Sequence, residues 1–147
     1  MKRIQLLIVG LFLTIFMAGC SEVSTVKDGT LNFDNSITVG EAFDKYSYFS
    51  DTDWTDFETS NGRKIVQVTG TFNDDYIKKM GWTKQFSEAS LIVQFKINKD
   101  DTFEIAAIGL EATDLKGKTK KVDLGKGMPT RQLNMMLKEL YNDKPLS

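Results

Sequence analysis

The stretch Leu91-Ile92-Val93-Gln94-Phe95-Lys96-Ile97 decides the fold. Leu91, Val93, Phe95 and Ile97 fall on alternate positions, the period of a strand with one buried face. Asn98-Lys99-Asp100-Asp101 follows with turn chemistry. Phe103, Ile105 and Ala107 then resume the alternation, so the two runs read as an antiparallel hairpin. Ile108 and Leu110 fall on the opposite parity, which predicts a β-bulge or a strand covered on both faces.

The same pattern extends upstream. Arg63 to Phe72 alternates, with Val66, Val68 and Phe72 on one face and Gln67, Thr69 and Thr71 on the other. Gly70 inside that run marks a bulge or a close contact. Asn61-Gly62 before it is a strong hairpin signal. Asp51 to Glu58, with Trp54 and Phe57 as its bulky members, reads in part as an edge strand.

Helical signals flank the strands. Thr38-Val39-Gly40-Glu41 has the spacing of a capping box. Val39, Ala42, Phe43 and Tyr46 then build one apolar face, predicting a helix that ends near Tyr48. At the other end, Pro129-Thr130 opens a segment in which Leu133, Met136, Leu137, Leu140 and Tyr141 recur at amphipathic-helix spacing. Lys116 to Gly127 reads as a Gly/Lys loop. The expected fold is therefore α+β: an antiparallel sheet of three to four strands, an N-terminal helix across it and a C-terminal amphipathic helix.

The extreme N-terminus has a different character. Lys2 and Arg3 precede an apolar run from Ile4 to Met17, broken only by Gln5, Gly10 and Thr14. A spanning helix needs about 20 apolar residues. This run is shorter and ends in small residues, which is the anatomy of a secretory signal peptide. Met17-Ala18-Gly19-Cys20 resembles the lipobox of bacterial lipoproteins, with Met17 in place of the usual Leu. The resemblance implies cleavage after Gly19, a diacylglycerol thioether on the Cys20 sulfur and an acyl group on the new amino terminus. Several chains anchor a protein stably where one does so only marginally. Ser21, rather than Asp, after the cysteine implies the outer membrane facing the periplasm in a Gram-negative cell; otherwise the lipoprotein pattern implies the outer face of the cell membrane. The expected organisation is a signal peptide at 1–19, a lipidated terminus and short extended tether at 20–28, and one α+β domain at 29–147. The stretches Thr38–Phe43, Trp54–Phe57 and Ile65–Gly70 loosely resemble small bacterial envelope proteins, a likeness that implies fold alone. Separately, the order helix, strands, helix suggests a cystatin-like or β-lactamase-inhibitor-like placement of the N-terminal helix across the sheet.

Composition narrows the chemistry. The chain of 147 residues has formal charge −1, and loss of Lys2 and Arg3 makes the remainder more acidic, so no general nucleic-acid binder is expected. It contains no histidine and one cysteine. Ser-His-Asp and Cys-His catalysis are therefore excluded, and a lipidated Cys20 leaves no thiol for a disulfide or a metal. No cofactor beyond the covalent lipid is expected.

Three surface clusters are candidates for function. Asn73 to Phe86 is long for a strand connection and carries Tyr76, Met80 and Trp82 among lysines, a composition suited to protein contact. Its competing reading is a helical turn that folds Ile77 and Met80 onto the core and leaves Tyr76 partly exposed. Lys116, Lys118, Lys120 and Lys121 form a basic patch that could rest on anionic head groups; a merely solvated loop is its alternative. Asp51, Asp53, Asp56 and Glu58 could suggest a cation site, but Thr55 and Asp56 stand where an EF-hand loop needs a ligand and a glycine. As a glycosidase pair they lack a defined separation across a cleft. The expectation is a non-catalytic envelope lipoprotein that binds or supports a protein partner at the membrane surface. An inhibitor or immunity-type lipoprotein is the alternative, with a carboxylate-based hydrolase behind both.

Overall fold

A computed structural model describes residues 21–146. The segment expected as a signal peptide, residues 1–19, and Cys20 lie outside the described residues. Five antiparallel strands form one sheet in the order β1-β2-β3-β4-β5: β1 Phe49–Glu58, β2 Lys64–Phe72, β3 Phe86–Ile97, β4 Phe103–Asp114 and β5 Thr119–Asp123. Among the described residues, four α-helices accompany them: α1 Ser21–Lys27, α2 Val39–Asp44, α3 Asp74–Lys79 and α4 Thr130–Tyr141. The architecture is α+β, as the alternation and the flanking amphipathic segments require.

The alternation places the core. Val66, Val68, Leu91, Val93, Phe95 and Ile108 are buried together with Phe43 of α2 and Leu137 and Leu140 of α4. In the register, Val68 pairs with Val93 and Val93 with Ile108. Opposed residues on one face are the unit of sheet stabilisation. The parity change in β4 is a bulge: Gln94 pairs with Ala107 but Phe95 with Ile105, leaving Ala106 as the extra residue. One inserted residue returns Ile108 and Leu110 to the face that Phe103 and Ile105 occupy. Gly70 marks close contact. A Cβ built there would lie 2.3 Å from the Phe49 ring.

The sheet has one strand more than the alternation revealed. Gly117, at φ 83°, closes a tight turn in which Asp114 Oδ1 accepts the backbone N–H groups of Lys116 and Lys118 at 2.9 Å each. The chain then returns as β5 along β4. Every β5 residue is exposed, so this edge strand has no apolar alternation to announce it.

The N-terminal helical layer also differs from expectation. The predicted helix begins as foreseen: Thr38 Oγ1 accepts the Glu41 N–H at 3.1 Å, and a Glu41 carboxylate oxygen accepts the Thr38 N–H at 3.0 Å. It stops at Asp44, where Lys45 caps it, well short of Tyr48. Residues 21–27, expected as an extended tether, form α1. Val26 is fully buried in the core, and Val23 packs against it. Two short helices thus take the place of one. They meet where Gly40, lacking a side chain, approaches the Lys27 carbonyl; a Cβ would stand 2.9 Å from that oxygen.

The C-terminal segment is held by two tyrosine hydroxyls and a backbone amide. Tyr46 Oη donates to the Lys144 carbonyl at 2.7 Å, Tyr76 Oη donates to that of Leu146 at 3.2 Å, and the Ser47 N–H donates to Asp143 Oδ1 at 2.8 Å. Burial pushes the Tyr76 phenol up to about 12, so it remains a donor at any physiological pH.

Candidate functional site

The N-terminal end of the described chain is docked to the body at several points. Glu22 and Lys64 of β2 form an ion pair at 2.6 Å. At the other end of α1, Lys27 pairs with Asp44 at 2.8 Å and lies 5.3 Å from the centre of the Trp54 ring. Asp44 Oδ1 also accepts from the Trp54 indole and the Thr52 hydroxyl, each at 2.8 Å. Partial burial raises the Asp44 carboxyl, but the Lys27, Trp54 and Thr52 hydrogen bonds together outweigh it and hold the group below its usual value. Asp44 therefore ties α1, α2 and β1 into one unit. This network has a sequence correlate only in hindsight, since Lys27, Asp44 and Trp54 share no short-range spacing.

The Asn73–Phe86 connection folds inward. Asn73 caps α3 by accepting the Tyr76 N–H at 2.9 Å, while its amide donates to the Ser47 carbonyl at 2.8 Å. Asp74 and Asp75 sit in the first turn and Lys78 and Lys79 in the last, both favourable to the helix dipole. Gly81, at φ 71°, then turns the chain out of the helix. Tyr76, expected to be partly exposed, is instead buried and stacks on Phe72 with ring centroids 4.3 Å apart. The reason is helical geometry: Tyr76, Ile77 and Met80 share the face that points at the core. Met80 and Trp82 are half-buried, and the Trp82 ring stands edge-on to Tyr76 at 5.9 Å. The helical turn expected as one reading of this stretch is thus present, with its cap and charge signals in residues 73–79.

The lysines occupy the β4–β5 hairpin and β5. Lys116 and Lys118 flank the turn at Gly117, and Lys121 pairs with Glu111 at 2.9 Å. All four lysine residues are exposed. Leu115 and Val122 beside them are also exposed. The acidic residues are separated by strand alternation. Asp56 lies opposite Val66 on the core-side face, whereas Asp51 and Asp53 lie opposite Thr71 and Thr69 on the other. Among the described residues, no group of three or more acidic residues is gathered as a metal site.

The second face of the sheet carries a polar ladder that the alternation anticipated but did not assign a role. The Gln94 side chain donates to that of Gln67 at 2.8 Å across β2 and β3, and the Ser90 hydroxyl reaches Thr71 at 3.3 Å. Ile92, Ala107 and Gly109 lie beside this ladder and line a shallow depression of about 220 Å³. The strand residues of the hydrophobic core come from the opposite face. The polar face thus presents amides, hydroxyls and small apolar groups.

Compared with protein-family models, curated proteins and solved structures, the chain matches none of them. Among the described residues, no helix is long and apolar enough to cross a membrane.

Proposed function

We propose that this chain is a bacterial envelope lipoprotein, held at a membrane through lipid on Cys20, whose domain binds or supports a protein partner without performing chemistry itself. The observation that carries the reading is the basic head, short apolar run and Met17-Ala18-Gly19-Cys20 ending of residues 1–20. The structure of residues 21–146 is compatible with it, because a folded body begins immediately after the attachment position. Export followed by cleavage after Gly19 would leave α1 intact.

The partner surface best suited to this role is the polar face of the sheet. Its amides and hydroxyls can hydrogen-bond a partner, and Ile92 supplies apolar area among them. Met80 and Trp82 offer a smaller second patch; Tyr76 is enclosed and contributes by positioning them. Site-specific photocrosslinking in intact envelopes tests this reading. A crosslinking residue at Thr69 or Gln94 is expected to capture a discrete protein, and the Cys20→Ser chain is expected to leave the membrane fraction and lose that product. Capture from position 82 alone would move the interface to the α3–β3 loop. Absence of any product from all three positions, with the protein still membrane-bound, would refute the partner-binding role.

A further inference from the structure

The docking of α1 sets which end of the domain lies nearest position 20. This inference rests on the lipid anchor proposed above and specifies its geometry. Position 20 is joined to Ser21 by one peptide unit, and consecutive Cα atoms are about 3.8 Å apart. Any group attached there enters the fold at the first turn of α1. That turn is tied by Glu22 to Lys64, at the start of β2. Asp56, Phe57, Glu58 and Ile65 surround the same corner with them. It is the end of the sheet that carries the β1–β2 turn at 59–63 and the β3–β4 turn at 98–102.

The lysine hairpin lies at the diagonally opposite corner. Phe103, where β4 begins, pairs with Ile97 beside the 98–102 turn, while Thr113 near its far end pairs with Thr119 of β5. β4 runs from Phe103 to Asp114. At ~3.3 Å per residue, those ends are on the order of 35 Å apart. β2 and β5 are also three strand positions apart in the sheet, adding about 14 Å at right angles. An extended leader of eight residues could have bridged much of that span at ~3.3–3.6 Å each. The helix removes that slack: with the domain upright, the lysine end could reach the anchoring bilayer only if the buried Val26 left the core.

We infer that the domain stands on its 59–63 and 98–102 turns at the bilayer and holds Lys116, Lys118, Lys120 and Lys121 away from it. The lysines then face outward, where they meet the aqueous side or a partner instead of the head groups beside the anchor. The turn end mixes Arg63, Lys64, Lys96 and Lys99 with Glu22, Asp56, Glu58, Asp100, Asp101 and Glu104, so the anchor and not surface charge holds it at the bilayer.

The test uses the full lipidated protein, purified from membranes and reconstituted in phosphatidylethanolamine–phosphatidylglycerol vesicles. Ser60→Cys, Lys99→Cys and Lys118→Cys variants each carry an environment-sensitive fluorophore on the new thiol, and a head-group-labelled quenching lipid reports proximity. Labels at positions 60 and 99 are expected to be quenched several-fold more than the label at 118. Equal quenching, or stronger quenching at 118, would overturn the orientation. Vesicle flotation and the mass of the N-terminal peptide are read on the same samples. Protein that fails to float and lacks a lipid adduct would overturn the anchor and the orientation together; a lipidated, floating protein with the reverse pattern would overturn the orientation alone.

Discussion

Val26→Ala separates a docked helix from a loose tether. Val26 has no exposed surface, and it belongs to the same core as Val66 and Phe43. The substitution removes two buried carbons, worth about 0.8 kcal/mol each in transfer free energy. Partial collapse around the missing volume adds a cavity penalty, bringing the expected loss to about 2–3 kcal/mol. For a domain of this size that corresponds to a fall in Tm of roughly 5–15 °C. The assay is urea unfolding of the chain lacking residues 1–19, with Cys20→Ser in both wild type and variant. The midpoint should fall while the slope stays constant, because the loss is in stability and not in the surface exposed on unfolding. A change within about 0.5 kcal/mol, the ordinary range for an exposed position, would refute the docking of α1.

Four further outcomes follow from the packing and hydrogen bonds. Gly70→Ala should cost about 1–3 kcal/mol, because its Cβ would meet the Phe49 ring at 2.3 Å; a double-mutant cycle with Phe49→Ala should recover part of that loss. Thr38→Ala removes the cap of α2 and should cost about 1 kcal/mol by denaturant unfolding. Asp44→Asn should cost roughly 1–2 kcal/mol at neutral pH, a figure discounted for the partial exposure of the Lys27 pair. Because the folded Asp44 carboxyl lies below its usual 3.8, its contribution is present above that value and is lost as pH falls through the folded value, so the wild type and Asp44→Asn curves should converge in acid. Tyr141→Phe should leave stability unchanged or raise it by about 1 kcal/mol, since the buried Tyr141 hydroxyl finds no hydrogen-bond partner among the described residues.

The central hairpin was legible because Leu91, Val93 and Phe95 are buried on one face, and burial on one face is what produces an alternating pattern. Even the bulge at Ala106 left a trace, in the parity of Ile108. β5 was illegible for the complementary reason: Lys120, Lys121 and Val122 face solvent at a sheet edge and carry no burial pattern. α1 escaped notice because Val23 and Val26 are isolated apolar residues in a short polar stretch, and tertiary docking rather than propensity makes it helical. Tyr76 illustrates how aromatic composition misleads. A tyrosine among lysines suits a contact loop, but Asn73 caps a helix that turns this one into the core. The ladder from Gln67 to Gln94 was visible in part, as the polar parity of Gln67, Thr69 and Thr71; its cross-strand hydrogen bond depends on register, which no single strand encodes.

The central claim concerns the chemistry at residue 20. Mass spectrometry of the N-terminal peptide, from protein extracted out of the membrane fraction of its own cell type, tests it most directly. The account predicts a chain beginning at Cys20 and carrying a diacylglyceryl group on sulfur. A chain that begins at Met1, or one that begins elsewhere with a free Cys20 thiol, would contradict it.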